Sequence, residues 1–223
     1  MGINVIVTGS TGMVGEGVLH ECLQHPAVDR VLVLNRKPCG VVHPKLTEIL
    51  HPDFLNLAPV EQHLRGFNAC FFCSGVSSVG MRETEYSHVT FDLTLHVATT
   101  LARLNPAMAF CYVSGSGTDS TERGKIMWAR VKGRTENALL KLPFRGAYMF
   151  RPGYMRPTPG MKNTLKMYAY IDWLYPVLRR VFPGSVSTLA EVGRAMITCA
   201  TKGSSVKVLE VRDIVALAKT QGN

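Results

Sequence analysis

Ile3-Asn4-Val5-Ile6-Val7-Thr8-Gly9-Ser10-Thr11-Gly12-Met13-Val14-Gly15 is the stretch that decides the fold. An apolar run of strand length leads into glycines spaced G-x-x-G-x-x-G, and Val14, Val18 and Leu19 continue at helical spacing. Strand, tight turn and helix start are the context in which a glycine pattern reads as a phosphate-binding loop. Gly9 permits a turn that a Cβ would hinder, Gly12 lets the backbone approach a pyrophosphate, and Gly15 lets helix and strand pack closely. The first N–H groups of the helix, at its positive dipole end, suit anionic phosphates. Residues Gly9, Ser10, Thr11, Gly12, Met13, Val14 and Gly15 are therefore the candidate cofactor loop.

The next βα unit carries the second clue. Val31-Leu32-Val33-Leu34 reads as a strand ending in Asn35-Arg36-Lys37-Pro38. In a dinucleotide fold an acid at the end of this strand binds the ribose 2′-hydroxyl, whereas an arginine accommodates a 2′-phosphate. Arg36 and Lys37, with no acid beside them, point to NADP, with NAD as the second option; the alternative is a solvated basic turn. Leu46 to Leu50 forms a short strand before His51-Pro52-Asp53-Phe54. Asp53 there could accept from an adenine amino group or cap a helix.

Ala69 to Ser74 is an apolar run closed by Gly75, the mark of a buried parallel strand. Ser74 and Gly75 stand where open α/β sheets place the ligand crevice. A helical pattern runs from about 83 to 104, Ala109 to Ser114 is the next strand, a helix covers about 125 to 142, and Arg145 to Phe150 is a sixth strand. Strands alternating with helices imply an α/β fold: a Rossmann-type, doubly wound parallel sheet with right-handed crossovers. From Tyr154 the texture changes, and 161–181 is rich in apolar and aromatic residues with Lys166, Arg179 and Arg180 among them. The segment of about 154–187 reads as a small substrate-side region, and its apolar stretch as a lid, a dimer face, plain core or a membrane-surface helix. Pro176 weakens the last. Helices at about 188–201 and 213–219 complete the chain.

Composition fits this picture. At 223 residues the chain suits one domain, 1–223, large enough to bury a substantial core. Hydrophobic residues make up 46% and charged ones 18%, which excludes a disordered chain. The net charge of +9 favours anionic ligands, but no Lys/Arg-rich run or nucleic-acid motif supports a nucleic-acid partner. With the first strand at the N-terminus there is no room for a signal peptide, and no apolar stretch reaches the roughly 18–20 residues of a membrane span. Cys70 and Cys73 would face opposite sides of a strand, a poor metal or disulfide pair. Free thiols in a reducing cytoplasm are expected, with no metal site.

The ordered set Thr8 to Gly15, Asn35-Arg36, His51 to Phe54, Cys73-Ser74-Gly75, a serine after the fifth strand, Val131-Lys132-Gly133, Phe150 to Gly153 and Glu191 to Met196 resembles the atypical short-chain dehydrogenase/reductases. The likeness is to their NAD(P)-binding subgroup of Tat-interacting-protein-like oxidoreductases and epimerase/dehydratase-like proteins, and it covers nearly the whole chain. It implies a serine, tyrosine and lysine as the reactive set, the last two spaced Tyr-x-x-x-Lys. Carried over by position, the serine is Ser114, with Ser116 a rival, and the lysine is Lys132, a ligand of the nicotinamide ribose. Ser114 could equally satisfy backbone groups at a strand end, and Lys132 could equally be a solvated lysine between Arg130 and Arg134. The tyrosine position holds Trp128, whose indole N–H donates a hydrogen bond but is no acid at neutral pH. Tyr154, Tyr86 and His88 are alternative proton sources, each equally readable as a packed ring or surface imidazole. Two functions follow: an NADP-dependent oxidoreductase on a small carbonyl-type compound with a non-standard proton source, or an NADP(H)-binding scaffold or regulatory protein with little turnover. A homodimer is a further expectation.

Overall fold

The computed structural model of the chain describes residues 2–164 and 172–220. Seven parallel strands form one sheet: β1 (Ile3–Thr8), β2 (Val28–Asn35), β3 (Leu46–Leu50), β4 (Ala69–Phe72), β5 (Ala109–Val113), β6 (Gly146–Arg151) and β9 (Val208–Glu210). Their spatial order is β3-β2-β1-β4-β5-β6-β9. The chain thus reverses direction across the sheet between β1 and β4, which is the switch point where a Rossmann-type fold opens its crevice.

Period-two alternation divides the strands between two faces. Val5, Val7, Val31, Val33 and Phe71 point to one side, onto Val18 and Leu19 of α1 (Met13–Gln24). Ile6, Leu32, Leu34, Cys70 and Phe72 point to the other, onto Val97 and Leu101 of α3 (Leu93–Leu104). Both faces are covered, so these strands read as continuous apolar runs. The helical pattern expected over 83–104 is divided: α2 (Glu83–Ser87) joins α3 through a π-turn at His88–Asp92.

Two features carry no signal in the sequence because their strands are three residues long. Strand β9 extends the sheet beyond the expected sixth strand. A second, two-stranded parallel sheet pairs β7 (Tyr154–Arg156) with β8 (Val186–Thr188). Gly153 makes this pairing feasible, since a Cβ there would lie 2.3 Å from the Ser185 carbonyl oxygen.

Beyond α4 (Met127–Leu139), the carboxyl-terminal third supplies α5 (Tyr175–Val181), α6 (Leu189–Thr201) and α7 (Val211–Lys219). Thr188 and Glu191 form a reciprocal capping box at the start of α6. Pro176 lies in the first turn of α5, where its missing N–H costs nothing, so it opens that helix rather than interrupting one. Of the aromatic-rich stretch, Met167, Tyr168, Tyr170 and Ile171 lie outside the described residues, while Trp173, Val177, Val181 and Phe182 are exposed. Among the described residues no helix is long and apolar enough to cross a membrane. All six cysteines are free thiols.

Candidate functional site

Strand β1 ends at Thr8 and the chain turns at Gly9, whose φ of +70° is the left-handed region that favours glycine. A Cβ on Gly9 would also lie 2.7 Å from the Ser74 nitrogen, so this glycine admits the end of β4 to the loop. The turn closes with the Gly12 N–H donating to the Gly9 carbonyl at 2.9 Å. Gly15 is buried against the same carbonyl: a Cβ there would sit 2.1 Å from the Gly9 oxygen. Gly12 is different. A Cβ on it would meet only the Gly9 oxygen, at an ordinary 3.5 Å, and would project into open space. Gly12 caps α1 with extended backbone and no side-chain cap, so the first N–H groups of the helix are left for a ligand.

A cleft of about 780 Å³ opens beside this helix start. Gly9, Thr11 and Gly12 form one wall, Arg36 and Lys37 another, and Phe54, Ser74 and Gly75 complete the inner side. Arg36 and Lys37 are exposed. Ser10 is buried and acts differently from its neighbours: its Oγ accepts from the Asn35 amide at 2.7 Å, tying the loop to the end of β2. The Asn35 amide also donates to Glu48 of β3 at 3.2 Å, and Glu48 accepts the Cys39 N–H at 2.8 Å. Glu48 thus pins the turn that presents the two cations, a role with no signature in the sequence.

Asp53 is exposed and does not line the cleft. Its carboxylate accepts the Leu55 N–H at 2.9 Å, an Asx turn rather than a helix cap, and this turn seats the buried Phe54 against the cleft. Met13 and Val14 pack partly into the core, on the helix side of the loop. Cys39 and Cys73 also line the cleft, but burial pushes both thiols up, Cys73 to about 12, so they stay protonated and inert.

Ser114 and Lys132 do not line this cleft; they belong to a buried polar cluster at the ends of β5 and β6. The Lys132 ammonium donates to the Ser114 carbonyl oxygen. Burial pushes its pKa down to about 8, against an opposing pull from Glu136. The Ser114 Oγ lies 2.5 Å from Glu136 Oε1 and 3.0 Å from the Phe150 carbonyl oxygen. Glu136, fully buried, is held by Arg151 through both carboxylate oxygens, and Arg151 also reaches Ser120 at 2.5 Å and Glu210 at 3.2 Å. In this arrangement the Ser114 hydroxyl is committed to the protein, not turned to a substrate. Ser116 is exposed.

Trp128 and Lys132 are four residues apart on α4 and so share a helix face. The partly buried indole lies over Gly117, where a Cβ would be 3.5 Å from the ring edge. Of the alternative proton sources, Tyr86 is buried in the core with its phenol pushed up by burial, and His88 is a surface imidazole 3.2 Å from Asp92. Tyr154 is half-buried, its backbone N–H bonded to the Ser185 oxygen at 2.9 Å. Among the described residues no group of three His, Cys, Asp or Glu side chains could hold a metal ion.

The chain is 29% identical over 143 residues to "Leucinostatins biosynthesis cluster protein T" of Purpureocillium lilacinum, covering 63% of this chain and 52% of that one. It is 29% identical over 157 residues to "Protein fmp52, mitochondrial" of Emericella nidulans, covering 67% and 66%. The chain therefore spans between about half and two thirds of these relatives. Among solved structures, the dTDP-glucose 4,6-dehydratase DesIV of Streptomyces venezuelae, determined with NAD bound, superposes with a TM-score of 0.66 at 15% identity, over 99% of this chain and 81% of that one. The model of the NAD dependent epimerase/dehydratase family matches residues 5–122, the half that holds the glycine loop, the basic turn and the end of β4, and the chain belongs to that family.

Proposed function

We propose that this chain, as a single domain over 1–223, binds NADP(H) in the cleft between α1 and the β2 turn and acts as an oxidoreductase on a small carbonyl-type compound. The observation that carries the reading is the uncapped helix start at Gly12, open at its Cα and facing a cleft walled by Arg36 and Lys37. Two cations and no free acid suit a 2′-phosphate, because Glu48, the nearby carboxylate, is engaged by Asn35 and Cys39. Bound there, the dinucleotide would supply hydride chemistry. The chain would supply N–H donors for the pyrophosphate, the Lys132 ammonium for the ribose, and the Trp128 face beside it.

The second reading is a nucleotide-binding scaffold or regulatory protein with little turnover. Trp128 at the proton donor's position favours it, as does the Ser114 hydroxyl turned to Glu136. Calorimetric titration with NADPH and NADH, followed by NADPH consumption over a panel of aldehydes and ketones, separates the two. Tight NADPH binding with substrate-dependent consumption supports the oxidoreductase; binding alone supports the scaffold; binding of neither nucleotide removes both. The free thiols suit a reducing compartment, and we place the chain in the cytoplasm; enrichment with mitochondria on fractionation would reverse that placement. A homodimer is tested by light scattering.

A further inference from the structure

Glu16, in the first turn of α1, uses both carboxylate oxygens on a distant segment. Oε1 accepts the Lys162 N–H at 2.8 Å and Oε2 accepts the Asn163 N–H at 2.7 Å, across 146 and 147 residues of chain. Its own N–H donates to the Gly12 oxygen at 2.9 Å, so the clasp sits one turn beyond the glycine loop. The clasped segment is shaped locally as well: the Met161 N–H reaches the Thr158 oxygen at 3.3 Å, Gly160 takes a φ of +87°, and Met161 packs against the core. The outcome is that Lys162 and Asn163 line the same cleft as Gly12 and Arg36.

An acid beside an anion-binding helix start opposes phosphate by simple charge. Here that acid brings a lysine and a carboxamide to the rim in return. We propose that Glu16 is a positioning residue that fixes the 158–164 strap so that Lys162, with Asn163, binds the pyrophosphate of the dinucleotide. The assignment rests on the NADP(H) reading above. It gives the two basic walls separate tasks. Arg36 and Lys37, at the end of β2, face the adenosine side. Lys162, anchored next to Gly12, faces the diphosphate, which NADPH, NADH and ADP all share.

The test is calorimetric titration of the full chain with NADPH, NADH and ADP, for wild type, Glu16→Ala, Lys162→Ala and the double variant. Removing a charge-assisted hydrogen bond to the diphosphate should weaken all three nucleotides about tenfold in each single variant, leaving the NADPH to NADH ratio unchanged. The double variant should bind about as weakly as the singles, because Glu16 acts through Lys162. The sign for Glu16→Ala is decisive: equal or tighter binding means removal of a repelling charge and overturns the latch. Weakening confined to NADPH in Lys162→Ala overturns the diphosphate assignment, as does no weakening at all. Lys162 is exposed, so its variant reads out even if the Glu16 variant folds poorly. A wild type that binds none of the three overturns the cofactor reading itself, and is seen before any variant is made.

Discussion

Lys132 and Ser114 are in contact, but through the backbone of the serine: the ammonium donates to the Ser114 carbonyl while the Ser114 hydroxyl is directed to Glu136. The two candidate reactive residues are thus fastened to each other and, through the serine, to the buried Glu136–Arg151 pair. Any use of the hydroxyl on a substrate requires it to leave Glu136 first.

The Glu136–Arg151 pair should be a major support of this end of the sheet. Both are buried, and Glu136→Ala would leave the guanidinium with Glu210 as its counter-charge among the described residues. Breaking such a pair by removing one partner costs about 3–5 kcal/mol. Urea unfolding of the variant should show a destabilisation of that size with an unchanged slope; a change under about 1 kcal/mol would mean that the pair adds nothing net.

Lys132 gives stability a definite pH dependence. Its folded pKa is about 8 against an ordinary 10.5. Below pH 8 both states hold the proton, and burial of the ammonium is unfavourable in full. Between about 8 and 10.5 the unfolded chain holds more protons, so stability contributed by this residue rises with pH. Unfolding free energies of wild type and Lys132→Met, compared across about pH 7 to 10, should shift in favour of the wild type as pH climbs past 8. A constant difference would place the lysine in ordinary solvent.

The three loop glycines should fail in different ways. Gly12→Val should fold with near wild-type stability yet lose nucleotide binding, because its side chain projects into the cleft. Gly15→Ala forces a Cβ within 2.1 Å of the Gly9 oxygen and should cost about 1–3 kcal/mol in the fold itself. Thermal unfolding beside calorimetry separates the two failures, and wild-type binding by a folded Gly12→Val would end the cleft assignment.

Arg36→Glu should reverse the cofactor preference, replacing a 2′-phosphate partner by a 2′-hydroxyl acceptor. The readout is the ratio of NADPH to NADH affinity. A ratio that stays with NADPH removes Arg36 as the phosphate ligand.

Trp128→Tyr restores an ionisable donor one helical turn before Lys132. NADPH-dependent reduction of a carbonyl panel should rise by about 10²–10⁴-fold over wild type, the usual worth of general acid catalysis. No rise in a variant that still binds NADPH would favour the scaffold.

The glycine loop and the basic turn of this molecule are legible in the sequence because their determinants are largely local. Gly12 and Gly15 each answer to the Gly9 carbonyl within one strand–turn–helix, Gly9 makes the turn with a positive φ while the end of β4 packs against it, and Arg36 follows its strand directly. Ser10 and Asp53 stand in the expected region, but their side chains serve the fold, Ser10 through Asn35 and Asp53 through a turn at Leu55. That distinction depends on which neighbour arrives in space. Glu48 and Glu16 are silent in the sequence for the same reason: each meets backbone N–H groups brought from elsewhere, and a backbone donor has no residue type to announce it. Strands β7, β8 and β9 lack signal because three residues cannot show a period.

Helix α1 rests on α6 at two points where one partner is a glycine. A Cβ on Gly17 would lie 2.8 Å from Leu189, and one on Gly193 would lie 2.8 Å from the Glu21 side chain. During synthesis, then, the outer face of α1 has nothing to close on until α6 has followed it. Pairings of such sequence separation form late and slowly. The glycine loop at the start of α1 is therefore carried on a helix whose outer face stays open until that contact forms.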